Sequence, residues 1–191
     1  MKLSSVTSAD TELVRTITWN SQTHQPILLA TKIQYIPPDT LKERSDSERA
    51  QILSARKLSP IENVREVNDA WQRIVCAIFA SAIKSITLHD GSPVTLKQMR
   101  VLMALSPDQV AKFGGIDTPV AMNSEDRTPV TDEDRTKFGY EKEIQTYGDV
   151  ARQNIQYLLR VCTQFRTFVE QIIQDISYFQ DGDWEKTLKN S

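Results

Sequence analysis

Alternation sets the first element of this chain. Ile27, Leu29, Thr31, Ile33 and Tyr35 share one parity and Leu28, Ala30, Lys32 and Gln34 the other, the period-two pattern of a strand with one buried face. Upstream, Thr16-Ile17-Thr18-Trp19 is rich in β-branched and aromatic side chains, and the polar run from Asn20 ends in Pro26. The two runs are expected to pair as a β-hairpin with a long loop. Pro37-Pro38 then stops the strand, because proline donates no ladder hydrogen bond and restricts the residue before it.

Beyond the prolines the period becomes helical. Residues 39 to 57 hold helix-forming side chains but few apolar ones, which predicts an exposed helix or connector. Ser59-Pro60-Ile61-Glu62 sets an N-cap hydroxyl, a first-turn proline and a capping glutamate in order. Ile61, Val64, Val67, Trp71, Ile74, Ile78 and Ile83 follow in steps of three to five, predicting a central helix over 60–86. Asp90-Gly91 marks a tight turn. Thr95 with Gln98, and Ser106-Pro107-Asp108-Gln109, open two short helices, the second ended by Gly114-Gly115. Residues 115–131 carry no sustained apolar period and are expected as a long binding loop or linker. Thr131-Asp132-Glu133-Asp134 signals one more helix start.

The last pattern is the longest. Tyr147, Ala151, Asn154, Leu158, Val161, Phe165, Phe168 and Ile172 follow four-three spacing, the signature of a bundle seam, and predict one helix over about 140–180. At about forty residues it would reach about 60 Å and overhang the 60–86 helix. Ile155, Leu159, Cys162, Val169 and Ile173 add a second apolar seam. The expected fold is therefore mainly α, a helical bundle built on two long helices with a small N-terminal β-hairpin. Its expected divisions are an extended element over 1–37 and a helical domain over 38–191, with the long loop at about 115–131.

Surplus apolar width implies a partner. Asn154, Leu158, Val161, Phe165, Phe168 and Ile172 are the candidate binding residues, for another protein or a second copy of the chain. Asn154 either fixes register against a matching polar group or lies exposed. Trp184, in an aromatic tail with Tyr178 and Phe179, either covers the domain's own core or anchors the partner.

Composition narrows the alternatives. A hydrophobic fraction of 39% with 25% charged residues belongs to a folded chain, and a net charge of -2 attracts no phosphate backbone, which makes nucleic acid an unfavoured partner. A helical module with a one-sided basic face, near Lys97 and Arg100 or Arg152 and Arg160, is the nucleic-acid alternative. The chain lacks any apolar run near the roughly eighteen residues of a membrane span, and its opening residues lack a signal-peptide core. Cys76 and Cys162 fall within apolar helical patterns, as core thiols of a reducing compartment do, so a cytoplasmic location is expected.

Chemistry-bearing residues are sparse. With His24 and His89 as the only histidines, no metal or cofactor is expected. His89-Asp90 reads as turn chemistry; the enzyme alternative would place a site around His89 and the 115–131 loop. Gly114-Gly115 lacks the further residues of a phosphate cradle, and Glu125-Asp126 with Asp132-Glu133-Asp134 lacks calcium-loop spacing.

The opening Thr16-Ile17-Thr18-Trp19-Asn20, the step Asp90-Gly91-Ser92-Pro93-Val94-Thr95-Leu96 and the following Leu102-Met103-Ala104-Leu105-Ser106 resemble tailed-phage tail-assembly chaperones. The resemblance spans about residues 16 to 115 and leaves the final helix and aromatic tail without a counterpart. It implies a non-enzymatic factor that holds an apolar-rich partner during tail assembly, or a structural component of a particle, in the host cytoplasm or the virion.

Overall fold

The computed structural model of the protein describes residues 12–20, 25–56, 64–112 and 114–174. Within them the chain runs β1 (Glu12–Trp19), β2 (Ile27–Gln34), α1 (Pro38–Arg56), α2 (Val64–Ala82), β3 (Ile83–Leu88), α3 (Leu96–Leu102), α4 (Pro107–Lys112), α5 (Asp132–Phe138), α6 (Tyr147–Val161) and α7 (Thr163–Gln174). The helix-start signal at 59–62 lies outside the described residues.

The hairpin forms as its alternation requires. β1 and β2 pair antiparallel, from Glu12 opposite Gln34 to Trp19 opposite Ile27. Leu29, Thr31 and Ile33 bury fully on one face with Ile17, while Val14 and Leu28 of the other parity stay exposed.

A third strand replaces the end of the expected 60–86 helix. α2 stops at Ala82 and β3 pairs antiparallel with β2, giving the order β1-β2-β3. Ile83 and Ile86 stand three apart, a spacing that suits one helical face but would point to opposite faces of a regular strand. The register resolves this. Thr31 faces Ile86 and Lys32 faces Ser85, but Ile33 faces Ile83, so Lys84 is left over as a bulge and both isoleucines reach the buried side.

The long final helix is also interrupted. α6 and α7 meet at Cys162, whose backbone is extended at φ -100° and ψ 90°. Its amide closes α6 on the Leu158 carbonyl at 2.8 Å, and its carbonyl opens α7 by accepting from the Arg166 amide at 3.0 Å.

The mainly α bundle on two long helices is thus overturned. A three-stranded antiparallel sheet is packed by helices instead: α2 touches β3, α6 and α7, and α7 touches β1. The physical reason lies in the two apolar seams of the C-terminal segment. Each buried Leu, Ile or Phe contributes about 1.5–3 kcal/mol, and a bend at Cys162 lets one stretch of chain serve both α2 and the sheet. Phe79, Phe165, Ile17, Leu29, Ile33, Ile83, Ile155, Leu158, Leu159, Ile172 and Ile173 meet in one core. Since β3 comes from the middle of the chain, residues before and after position 38 share that sheet and core.

Candidate interaction surface

Within the expected loop at 115–131, residues 116–126 form a strap that runs along the start of α3 and the free edge of β3. Ile86 donates its amide to the Met122 carbonyl at 3.0 Å and Ser124 returns its own to Lys84 at 2.8 Å, a bridge of antiparallel sense between Ser85 and Asn123. Farther on, Val120 donates to Val94 (2.8 Å), Leu96 to Thr118 (2.9 Å) and Lys97 to Ile116 (2.7 Å). The bulge is part of the fastening. The buried Ser124 hydroxyl lies 3.1 Å from the Ile83 carbonyl and 3.0 Å from that of the bulged Lys84. Lys32 holds the assembly across the open sheet face, reaching Glu12 of β1 at 2.5 Å and Glu125 of the strap at 3.7 Å. The bond to Glu12 holds the Lys32 ammonium above its ordinary range.

The seam residues divide by burial. Leu158 (0% exposed), Phe165 (1%) and Ile172 (1%) lie in the chain's own core, as do Ile155, Leu159, Cys162, Val169 and Ile173. Asn154 is half-buried, and its amide donates to the Ala121 carbonyl at 3.0 Å, tying α6 to the strap. Val161 (41%) and Phe168 (37%) are exposed. Trp184, Tyr178 and Phe179 lie outside the described residues.

Tyr157, 42% exposed, joins Val161 one helical turn away on α6, a residue that the seam pattern passed over because it falls off the four-three register. Two further apolar side chains, Val14 and Leu28, stand on the outer sheet face. Among the described residues β1 has a strand neighbour on one side only.

The titratable groups serve local structure. His89 sits exposed in the turn, its backbone amide on the Leu28 carbonyl at 3.1 Å, while the Asp90 carboxylate accepts from the Ser92 hydroxyl at 2.6 Å and amide at 2.9 Å. Those bonds hold Asp90 below its usual range. Burial pushes the Cys76 and Cys162 thiols up, away from the thiolate. At Cys162 the Phe165 amide works in the opposite sense, as a cap on the first turn of α7. Among the described residues, no cluster of three or more His, Cys, Asp or Glu side chains gathers as a metal site, and no helix is long and apolar enough to cross a membrane.

Family models, curated proteins and solved structures give no match to this chain. The three segments quoted for the resemblance fall on the end of β1, the turn entering α3 and the exit from α3.

Two structural residues escaped the sequence reading. Ser124 acts through hydrogen bonds to backbone carbonyls and Gly148 through close backbone approach, neither of which leaves a hydrophobic period. A glycine inside the first turn of a well-capped helix was the available signal for the second, since glycine there costs about 1 kcal/mol against alanine and calls for a packing reason.

Proposed function

We propose that the chain is a non-enzymatic assembly or structural protein acting through protein-protein contacts, of the kind that operates in phage particle or tail assembly. The observation that carries this reading is the margin of α6 and α7, where Tyr157, Val161 and Phe168 remain exposed beside a core that already holds Leu158, Phe165 and Ile172. With about two fifths of each side chain still exposed, covering it by a partner would contribute on the order of 1 kcal/mol, a fraction of the value for full burial. The one-sided pairing of β1 offers a second contact, in which a neighbour adds a strand.

Light scattering coupled to size exclusion tests the proposal over a range of concentrations. Native chain is expected to associate, and the double variant Val161→Asp/Phe168→Asp to elute as a folded monomer. Phe165→Asp is unsuitable, because a buried charge would unfold the core. A double variant that associates as the native chain does overturns the reading, and a native chain that stays monomeric throughout removes a second copy of the chain as the partner.

A further inference from the structure

We infer that residues 127–146 form a flap that opens as one unit while the sheet and the large core stay folded. The segment leaves the strap after Asp126 and rejoins the fold at α6. Its neck is closed by backbone hydrogen bonds, from Val130 to the Gln145 carbonyl (3.0 Å), Tyr147 to Thr128 (2.9 Å) and Gly148 to Asp126 (2.9 Å). Inside the neck Arg135 fastens the excursion to itself, donating to the Glu141 carbonyl at 2.6 Å and the Ile144 carbonyl at 2.7 Å. The Tyr147 hydroxyl donates to the Asp134 carboxylate, a link between α6 and α5.

The apolar contacts of the flap lie apart from the large core. Val130 and Ile144 meet Val150, flanked by Ala121, Tyr140 and Tyr147, in a cluster separate from the large one. α5 buries none of its residues, and the Tyr147–Asp134 hydrogen bond is what links it to α6. Cooperative opening follows shared burial, so a unit closed over a small separate cluster opens more readily than the core. The preceding half of the strap differs, because Met122 belongs to the large cluster and Val120 packs against it, with the β3 ladder bonds alongside. The boundary therefore falls between Ser124 and Arg127. Opening uncovers Val150 and the first turn of α6, which the closed flap covers.

Hydrogen exchange read by mass spectrometry on the full chain tests this. Amides of 127–146 are expected to be at least about tenfold less protected than those of β2, β3 and α6. Removing the guanidinium with Arg135→Ala should speed exchange across 127–146 by about tenfold and leave the sheet unchanged, since two charge-assisted bonds are lost. Arg135→Lys, which keeps the charge but not the two-pronged donor, should shift the same peptides in the same direction. Equal protection in 127–146 and β3, or variants that accelerate both alike, would overturn the inference.

Discussion

Gly148 donates its amide to the Asp126 carbonyl at 2.9 Å, and a methyl group on its α-carbon would stand 2.5 Å from that same oxygen and 2.7 Å from the Ser124 carbonyl. Both obstacles are backbone, held in place by the β3 edge on one side and the flap neck on the other. No side chain can swing away to make room. Gly148→Ala, normally favourable within a helix, is therefore expected to destabilise by about 1–3 kcal/mol. For a chain of this size that corresponds to a fall in melting temperature of about 2–12 °C. An unchanged or raised melting temperature would show that α6 does not approach the strap this closely.

Asn154 separates an internal role from a partner role. Its bond to the Ala121 carbonyl at 3.0 Å spends the amide within the chain. Asn154→Ala should cost about 1 kcal/mol and raise exchange of the amides around 119–124. Self-association should be unaffected. Loss of association with the strap still protected would return Asn154 to the contact surface.

Thr31 is fully buried, and among the described residues its hydroxyl has no hydrogen-bond partner. It lies on the core face of β2 between Arg15 of β1 and Ile86 of β3. An orphaned buried hydroxyl costs about 1–3 kcal/mol, and valine has nearly the same shape without it. Thr31→Val is expected to raise stability in chemical denaturation by about 1 kcal/mol. A fall in the denaturation midpoint would mean that the hydroxyl is satisfied, by water or otherwise.

What the sequence made legible follows from which interactions leave a period. β2 announces itself because Leu29, Thr31 and Ile33 alternate with half-exposed neighbours, and Thr95, Thr131 and Asp90-Gly91 mark helix starts and a turn that the fold uses. α1 fits its low apolar content, with Leu41 packed against the core. The errors sit where two periods coincide. Ile83 and Ile86 satisfy a helix by spacing and a strand by means of the Lys84 bulge, and only tertiary pairing with β2 decides between them. At Cys162 the four-three spacing of Leu158, Phe165 and Ile172 continues across the break without glycine or proline to mark it. The strap was illegible for another reason: it is held through carbonyls and amides that any residue owns.

Ala104 adopts a left-handed backbone, φ 52°, just after α3. The Leu105 amide reaches back to the Arg100 carbonyl at 3.0 Å and Met103 caps the helix on Met99, the closing pattern that ordinarily places glycine at this position. An L side chain there costs about 1–2 kcal/mol, partly offset because glycine is looser in the unfolded chain. Ala104 is exposed, so its methyl group contributes little packing. Ala104→Gly should raise stability by about 0.5–1 kcal/mol, read as a higher melting temperature. A lower one would place the conformation outside the left-handed region.

Asp149 ties the flap neck to α6 through both carboxylate oxygens. Oδ2 accepts from the Gln145 amide at 3.1 Å and the Thr146 amide at 2.9 Å, Oδ1 from Arg152 at 2.7 Å. The backbone bond from Thr146 is the main reason its carboxyl is held below the ordinary 3.8, with burial acting the other way. A depressed folded value means that the contribution is fully present above the unfolded value. It is lost as pH falls through the lowered one. Asp149→Ala should therefore cost about 1 kcal/mol at neutral pH, the usual worth of a capping interaction. The gap between native and variant melting temperatures should stay constant down to about pH 4 and narrow below it. A gap that widens toward acid, or is unchanged down to pH about 2, would contradict the assignment of the ionised carboxylate as the capping group.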